Sequence, residues 1–377
     1  IKNGGGVKLI ILGRGNAGCI SAMHFAYFRK FLNTKVEIEL IYDSKIKPVP
    51  TGQGTTLPFP DCLFKNFSSN YVDSFPITQK TGIMYENWSK KHKKIFHPFP
   101  LGRYAVHFNP EDFQNYVCKN LNIDFTEKDE NIKNYNDLDA DYIIDCRGTP
   151  KSLKGYNTLS NPLNCALLAD LTKKENDVPW TGTTATPDGW CFYIPLPKKT
   201  SIGYLFNNKI TSVKKAKDNF KRLFGVEKIN HVFPFNQYVA KEPIVEDRVL
   251  LNGNKLFFLE PLEATAMGSY IKISQFYYNY IFNNQDKKNT RIDIHSWVKQ
   301  MEQFILYHYS NGSIYNSPFW KKAKILWENT ETLMLDKELK IIKGMSSVDI
   351  ERSLNSEKEF GMWPPFSIKQ WQDKVAF

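Results

Sequence analysis

VKLIILGRGNAGCISAMHFAYFRKF, residues 7–31, decides how the chain folds. Residues 7–12 form a short apolar run, the pattern of a buried parallel strand. Gly13-Arg14-Gly15-Asn16-Ala17-Gly18 then breaks the run with a tight turn. The apolar helix that follows extends to about Phe31. "KVEIELIYD" alternates as a second strand and ends on Asp43, about 25 residues after the glycines. Glycines at 13, 15 and 18 permit the turn and let backbone approach a pyrophosphate at a helix N-terminus. An acid closing the second strand can accept from a ribose hydroxyl. The G-x-G-x-x-G spacing alone is weak, but its place after a strand and before a helix makes the joint signal strong. The expected start is therefore a β-α-β dinucleotide-binding unit.

Outward from this unit, "ADYIIDCRG" (140–148) reads as a further strand running into a turn at Gly148. Residues 253–282 read as strand, loop and long helix, with Thr265 near the helix start. Thr181 to Asn207 look like sheet. The last ninety residues are largely helical, and "SWVKQMEQFILYHY" is the clearest amphipathic piece. "ITQKTGIMYENW" (77–88) alternates like a single strand through Ile77, Gln79, Thr81, Ile83 and Tyr85. That places Lys80 on the other face with Gly82 and Met84. The implied cofactor module is discontinuous, spanning 1–76, 100–160 and 245–285. A second module is inserted and appended over 77–99, 161–244 and 286–377.

Composition narrows the partners. The chain has 377 residues, enough for two domains or one large α/β domain with an insert. Aromatics make up 14%, so wide, flat surfaces are available for a core and for stacking. The net charge of +11 suits a solvated basic surface or attraction to anions. "KKHKK" at 90–94 is too short for a nucleic-acid arm. The six cysteines are scattered, with no C-x-x-C pair, so neither a disulfide scaffold nor a metal site is expected. A reducing, cytoplasmic location fits them. No apolar stretch reaches membrane-spanning length, and the polar, glycine-rich start does not read as a signal peptide.

Separated segments then share one resemblance, in order along the chain. "GRGNAG" (13–18), "TGQGTTLP" (51–58), "KTGIMYENW" (80–88), "GWCFYIPL" (189–196), "EPLEAT" (260–265) and "FILYHYSNGSIYNSPFW" (304–320) resemble the flavin-dependent halogenases of the tryptophan-halogenase type. In that family they look like the FAD fingerprint, the flavin strap, the lysine segment, the W-x-W-x-I-P signature, the EPLEST segment and the late HY…TPFW segment. The implied fold is α/β, with an FAD-binding Rossmann-like module of flavin-monooxygenase type and an inserted sheet and helical module. Lys80 and Glu263 fall on the catalytic positions. Gly13, Gly15, Ala17, Gly18, Asp43, Gly54, Thr55, Thr56 and Met267 fall on the cofactor. Thr265 and Ala266 fall where backbone amides hold the halide. Trp190, Phe192, Ile194 and Pro195 fall on the signature that separates flavin from substrate. The second Trp of that signature is Phe192, and Gln53, Ala264 and Ala266 replace Glu, Ser and Gly of the family pattern.

The resemblance implies that reduced FAD, oxygen and a halide (chloride, bromide or iodide) generate hypohalous acid, which reaches Lys80. A separate flavin reductase is the implied partner, since one dinucleotide fingerprint is present. Tryptophan-acting members are longer toward the C-terminus, so the expected substrate is a small electron-rich aromatic such as an indole, phenol or aniline. No nucleic acid or membrane partner is expected, and homo-oligomerisation stays open. Two other readings compete: a flavin-dependent aromatic hydroxylase, which would not need Lys80, and a flavin-binding protein without turnover. His107 and His308 read as packed or structural, and Trp320 as an ordinary core aromatic.

Overall fold

The computed structural model describes residues 6–68, 75–128, 132–172, 177–355 and 360–375; Ile1–Gly5, most of the glycine-rich start, lie outside them. Strand β1 (Val7–Leu12), helix α1 (Asn16–Phe31) and strand β2 (Val36–Tyr42) form the opening β-α-β unit. The two strands are parallel and in register, Leu9 against Ile38 and Ile11 against Leu40. Leu9 through Leu12 are all buried, as a strand covered on both faces requires. β1 sits centrally, with β2 and Asp124–Glu127 on one side and Tyr142–Asp145 and Val249–Leu251 on the other. These five strands are parallel, and Ile244–Val245 adds an antiparallel edge. Gly18 must be glycine, because a Cβ there would stand 1.8 Å from the Gly13 carbonyl oxygen. Gly13 itself holds φ +93°, a conformation that glycine adopts freely.

A seven-stranded sheet forms the second layer. Its order runs through His231–Pro234, Cys165–Thr172, Lys199–Phe206, Gly189–Pro195, Thr181–Thr186, Gly82–Glu86 and Lys94–Pro98. A small sheet joins Gln53–Gly54, Ala105–Phe108 and Ile77–Lys80 beside it. We label Ile77–Lys80 β3, Gly82–Glu86 β4 and Gly189–Pro195 β5. Helices α2 (Thr265–Phe282) and α3 (Lys287–Tyr309) follow, and shorter helices continue to Val375. One contiguous apolar core runs through both layers, and a smaller one lies under the Val213–Phe224 helix. No helix among the described residues is long and apolar enough to cross a membrane.

The structure corrects one reading of the sequence. Residues 77–86 are not one strand. The Thr81 N–H and hydroxyl both donate to the Pro179 carbonyl, each at 2.7 Å, and that contact turns the chain out of the small sheet into the large one. The alternation changes parity at the break, so Gln79 is exposed while Ile83 and Tyr85 are buried. Lys80, the last residue before the switch, is left pointing inward at 1% exposure.

Candidate active site

A cavity of about 470 Å³ reaches from the glycine turn to Lys80 and Glu263. Gly13, Gly15 and Ala17 line it, as does Asp43 at the end of β2. A Cβ on Gly15 would meet nothing within 4 Å, so the backbone there faces open space. Gly15 caps α1, whose first backbone N–H groups have no partner of their own within the helix. The Arg14 Nε and the Thr51 hydroxyl border the same cavity, buried and without hydrogen-bond partners among the described residues. Unmet donors, a bare helix start and a carboxylate at the strand end together fit a dinucleotide with its pyrophosphate on the turn. Met267 is buried, lines the cavity and accepts weakly from Asn16 Nδ2 at 3.8 Å.

Lys80 is fixed from several sides. Its Nζ donates to the Thr55 carbonyl at 2.9 Å and lies 5.6 Å from the centroid of the Phe99 ring. Thr55 is held in turn by two-way hydrogen bonds with Val106, each 2.9 Å. The neighbouring Thr56 hydroxyl is buried without a partner among the described residues. Gly54 keeps the approach narrow but open, since a Cβ there would come within 3.6 Å of the Lys80 Nζ. Burial pushes the ammonium down to about 8, and the charge of Glu263 works the other way. His107 stands beside it, fully buried. The Thr78 hydroxyl donates to the Pro195 carbonyl at 2.5 Å, so it accepts from His107 Nδ1 at 3.2 Å. His107 Nε2 then accepts from the Thr181 hydroxyl at 2.8 Å. Burial, with Lys80 alongside, holds this imidazole neutral.

Glu263 sits on a strained turn. Its φ is +66° and that of Ala264 is +54°, both left-handed and neither a glycine. Each such residue costs about 1–2 kcal/mol, a strain typical of functional sites. The turn delivers Glu263 to the cavity and starts α2 immediately after it. No side chain caps that helix start, at Thr265 and Ala266, and the positive end of the helix dipole there favours an anion. Ala266 borders the cavity, and the Thr265 hydroxyl is buried without a partner among the described residues.

Sequence reasoning did not find what holds the carboxylate itself. Trp363 Nε1 donates to Glu263 Oε2 at 2.6 Å, and His308 Nε2 lies 3.3 Å from Oε1. His308 Nδ1 donates to the Phe304 carbonyl at 2.9 Å, which leaves Nε2 facing Glu263. The histidine read as structural is therefore in contact with the candidate acid–base group.

β5 forms the wall between these elements. Trp190, Phe192 and Ile194 line the cavity, while Pro195 contributes the carbonyl that orders Thr78. Trp190 Nε1 donates to Glu260 Oε2 at 2.8 Å, and Glu260 also accepts from Tyr309 and Asn161. Phe192 lies over Gly203 so closely that a Cβ there would stand 2.2 Å from the ring. The strap is tied to the same sheet by Gly52 N–H donating to the Ser201 hydroxyl at 2.9 Å. Trp320 packs in the core and donates to the Thr186 carbonyl at 2.8 Å.

The parallel sheet, its glycine turn and the cavity beneath them define a Rossmann-like, dinucleotide-binding α/β fold. The tryptophan halogenase family profile matches residues 8–136 and 127–360, and the chain belongs to that family. Tryptophan 7-halogenase KtzQ of Kutzneria sp. (strain 744) is 24% identical over 265 residues, 60% of this chain and 49% of its own. The match thus spans about half the length of that relative. Among solved structures, MibH, a lathipeptide tryptophan 5-halogenase, superposes with a TM-score of 0.81 at 16% identity, covering 100% of this chain and 87% of its own. The tryptophan halogenase of Shewanella frigidimarina NCIMB 400 gives 0.80 at 18%, covering 99% and 89%.

Proposed function

We propose that the chain halogenates a small electron-rich aromatic, an indole, phenol or aniline, using reduced FAD, oxygen and a halide. The observation that carries this reading is a single cavity bordered by the glycine turn, the β5 wall, a nearly buried lysine and a carboxylate. Bound FAD would supply the oxygen chemistry that turns halide into hypohalous acid. Gly13, Gly15, Ala17, Gly18, Asp43, Gly54, Thr55, Thr56 and Met267 would hold it, and the backbone amides of Thr265 and Ala266 would hold the halide.

The chain's own residues do the rest. Trp190, Phe192, Ile194 and Pro195 keep the substrate ring away from the flavin. Lys80 holds the oxidant through a hydrogen bond, or as a haloamine when neutral; a pKa near 8 makes both forms accessible near neutral pH. Glu263 takes the proton that the substituted ring carbon releases, and an acid–base group of this kind contributes about 10²–10⁴ in rate. A separate reductase supplies the reduced flavin. The residues split into a cofactor module at 1–76, 100–160 and 245–285 and a substrate module at 77–99, 161–244 and 286–377.

The experiment is incubation with reduced FAD, oxygen, bromide and a reactive indole, read by the isotope pattern of the product. Brominated product from the wild type and none from Lys80→Ala supports the reading. Hydroxylated product that survives Lys80→Ala favours a hydroxylase, and no product from the wild type leaves a flavin-binding protein without turnover.

A further inference from the structure

The indole of Trp363 fills a buried space beside the Glu263 carboxylate. Its ring stacks on His97, with centroids 3.9 Å apart and 29° between planes. Phe304 and His308 meet it edge-on at 4.7 and 5.1 Å. Its N–H donates to the Glu263 carboxylate, and its own exposure is 6%.

The aromatic residues packed around this indole carry polar atoms without partners. Both ring nitrogens of His97, the Tyr85 hydroxyl and the Trp371 indole N–H are buried, and none has a hydrogen-bond partner among the described residues. Tyr85 and Trp371 lie 6.3 and 6.2 Å from Trp363, centroid to centroid. A purely structural aromatic core has no reason to concentrate orphaned polar atoms, since each one costs stability. They suit a ligand that brings its own donors and acceptors. Trp363, which offers one N–H and a bare hydrocarbon edge, leaves them unsatisfied.

The tether is strained. Phe360 and Trp363 exchange backbone hydrogen bonds of 2.9 and 3.0 Å. Between them Gly361 and Met362 both take positive φ, +61° and +72°, which makes a primed turn. Glycine accepts that conformation; methionine does not accept it freely. The turn is wedged between two helices: a Cβ on Gly268 would stand 2.4 Å from the Met362 sulfur, and one on Gly361 would stand 2.4 Å from the Phe304 ring. Opening of that turn, which carries Trp363 away from Glu263, relaxes Met362. An entering N–H restores the hydrogen bond that Glu263 gives up.

We propose that Trp363 is an internal pseudo-substrate: in the ligand-free chain its indole fills a slot that a planar, N–H-bearing aromatic with polar substituents enters by displacing it. The inference rests on the reading of Glu263 as the group that meets the substrate ring. It narrows the substrate class to N–H heteroaromatics over phenols.

Binding is measured without FAD, halide or reductant, so it does not depend on turnover. The full chain is labelled with 5-fluorotryptophan, and the Trp363 resonance is assigned by its loss in Trp363→Phe. Indole should shift that resonance. 1-Methylindole, which has no N–H, should need about ten-fold more ligand, the equivalent of one hydrogen bond. Trp363→Gly, with the slot empty, should bind indole at least about ten-fold more tightly than wild type. If that variant does not fold, Trp363→Phe serves instead, since it fills the slot without the bond to Glu263 and should also bind indole more tightly than wild type. A Trp363 resonance unmoved at saturating indole, or equal indole affinity in wild type and the folded variant, overturns the proposal. Displacement of Trp363 by indole in a chain that makes no halogenated product supports this inference and overturns the halogenase reading alone. Efficient halogenation with Trp363 unmoved does the reverse.

Discussion

Replacing Lys80 with methionine separates the lysine's chemical use from its structural cost. The side chain is 1% exposed, and burial lowers its pKa from 10.5 to about 8. At pH 7 both folded and unfolded chains carry the proton, so the folded state bears the full penalty of the buried charge. At about 1.4 kcal/mol per pKa unit, that penalty is about 3 kcal/mol. Between pH 8 and 10.5 the unfolded chain keeps its proton while the folded chain gives it up. Unfolding then takes up a proton, and the stability of the wild type rises with pH. From pH 7 to 9.5 the gain from this group is about 2 kcal/mol. The methionine variant has no such gain.

At neutral pH the variant escapes the charge penalty but leaves the Thr55 carbonyl without its donor, a loss of about 1–3 kcal/mol. Lys80→Met should therefore match or exceed the wild type by up to about 2 kcal/mol at pH 7. Its advantage should vanish or reverse by pH 9.5. Urea unfolding of both proteins at pH 7, 8.5 and 9.5 gives the difference directly, and halogenation should be lost at every pH. A stability difference that stays flat across this range would refute the argument, because it would mean that the ammonium is fully compensated where it lies.

Gly15→Val should fold normally and lose flavin binding, since its side chain enters open cavity rather than packed protein; circular dichroism and flavin fluorescence titration check both halves. Gly18→Ala should fail differently, by disrupting the turn itself, and its unfolding midpoint should fall sharply. Glu263→Gln should slow halogenation by about 10²–10⁴ with flavin affinity unchanged, measured by product formation and by titration. Glu260, pushed up to about 6 by burial, keeps its proton in the folded chain at pH values where the unfolded chain has lost it. The wild type should therefore lose about 2 kcal/mol relative to Glu260→Gln as pH rises from 4 to 7, read by urea unfolding.

What could be read from the sequence follows from how local each feature is. The β-α-β unit is written in consecutive residues: an apolar run, a turn only glycines can make, and a helix. The carbonyl 1.8 Å from a Cβ on Gly18 shows why no other residue serves there. Lys80 could be singled out as a candidate, but not its orientation. The strand that carries it breaks because Pro179, about a hundred residues away, takes the Thr81 N–H. The company of Glu263 could not be read at all. Trp363 lies 100 residues downstream in a segment with no distinguishing pattern, and the packing of α2 and α3 against the C-terminal turn brings it to the carboxylate. The histidine of "YHY" carried some signal, since its neighbour Tyr309 belongs to the same motif and bonds Glu260. Two acids three residues apart, Glu260 and Glu263, thus gather Trp190, Tyr309 and Trp363 from segments far apart in the sequence.

The strain in this region has a pattern. Glu263, Ala264 and Met362 are three non-glycine residues with left-handed backbone, and they meet around one carboxylate. Strain at isolated loop tips can be incidental, but here two segments from different parts of the chain are strained toward the same point. Polar atoms without partners lie close by: Glu263 Oε1 and Thr265 Oγ1 on one side, and the ring nitrogens of His97, whose face stacks on Trp363, on the other. A fold selected only for stability would relax one turn or fill one slot with a better-matched residue. Holding both turns strained against a common carboxylate makes sense if the contact is meant to be exchanged, because stored strain lowers the cost of breaking it. The Lys80 side of the cavity follows the same logic, with a charge kept buried at a cost in stability. Stabilising substitutions should therefore concentrate here, at Met362→Gly and Ala264→Gly as well as Lys80→Met, and they should separate by function. Met362→Gly should raise the unfolding midpoint and tighten the hold on Trp363, weakening indole binding, whereas Ala264→Gly should raise it without altering that affinity. Equal effects of the two glycines on indole binding would show that the Trp363 turn has no part in closing the slot.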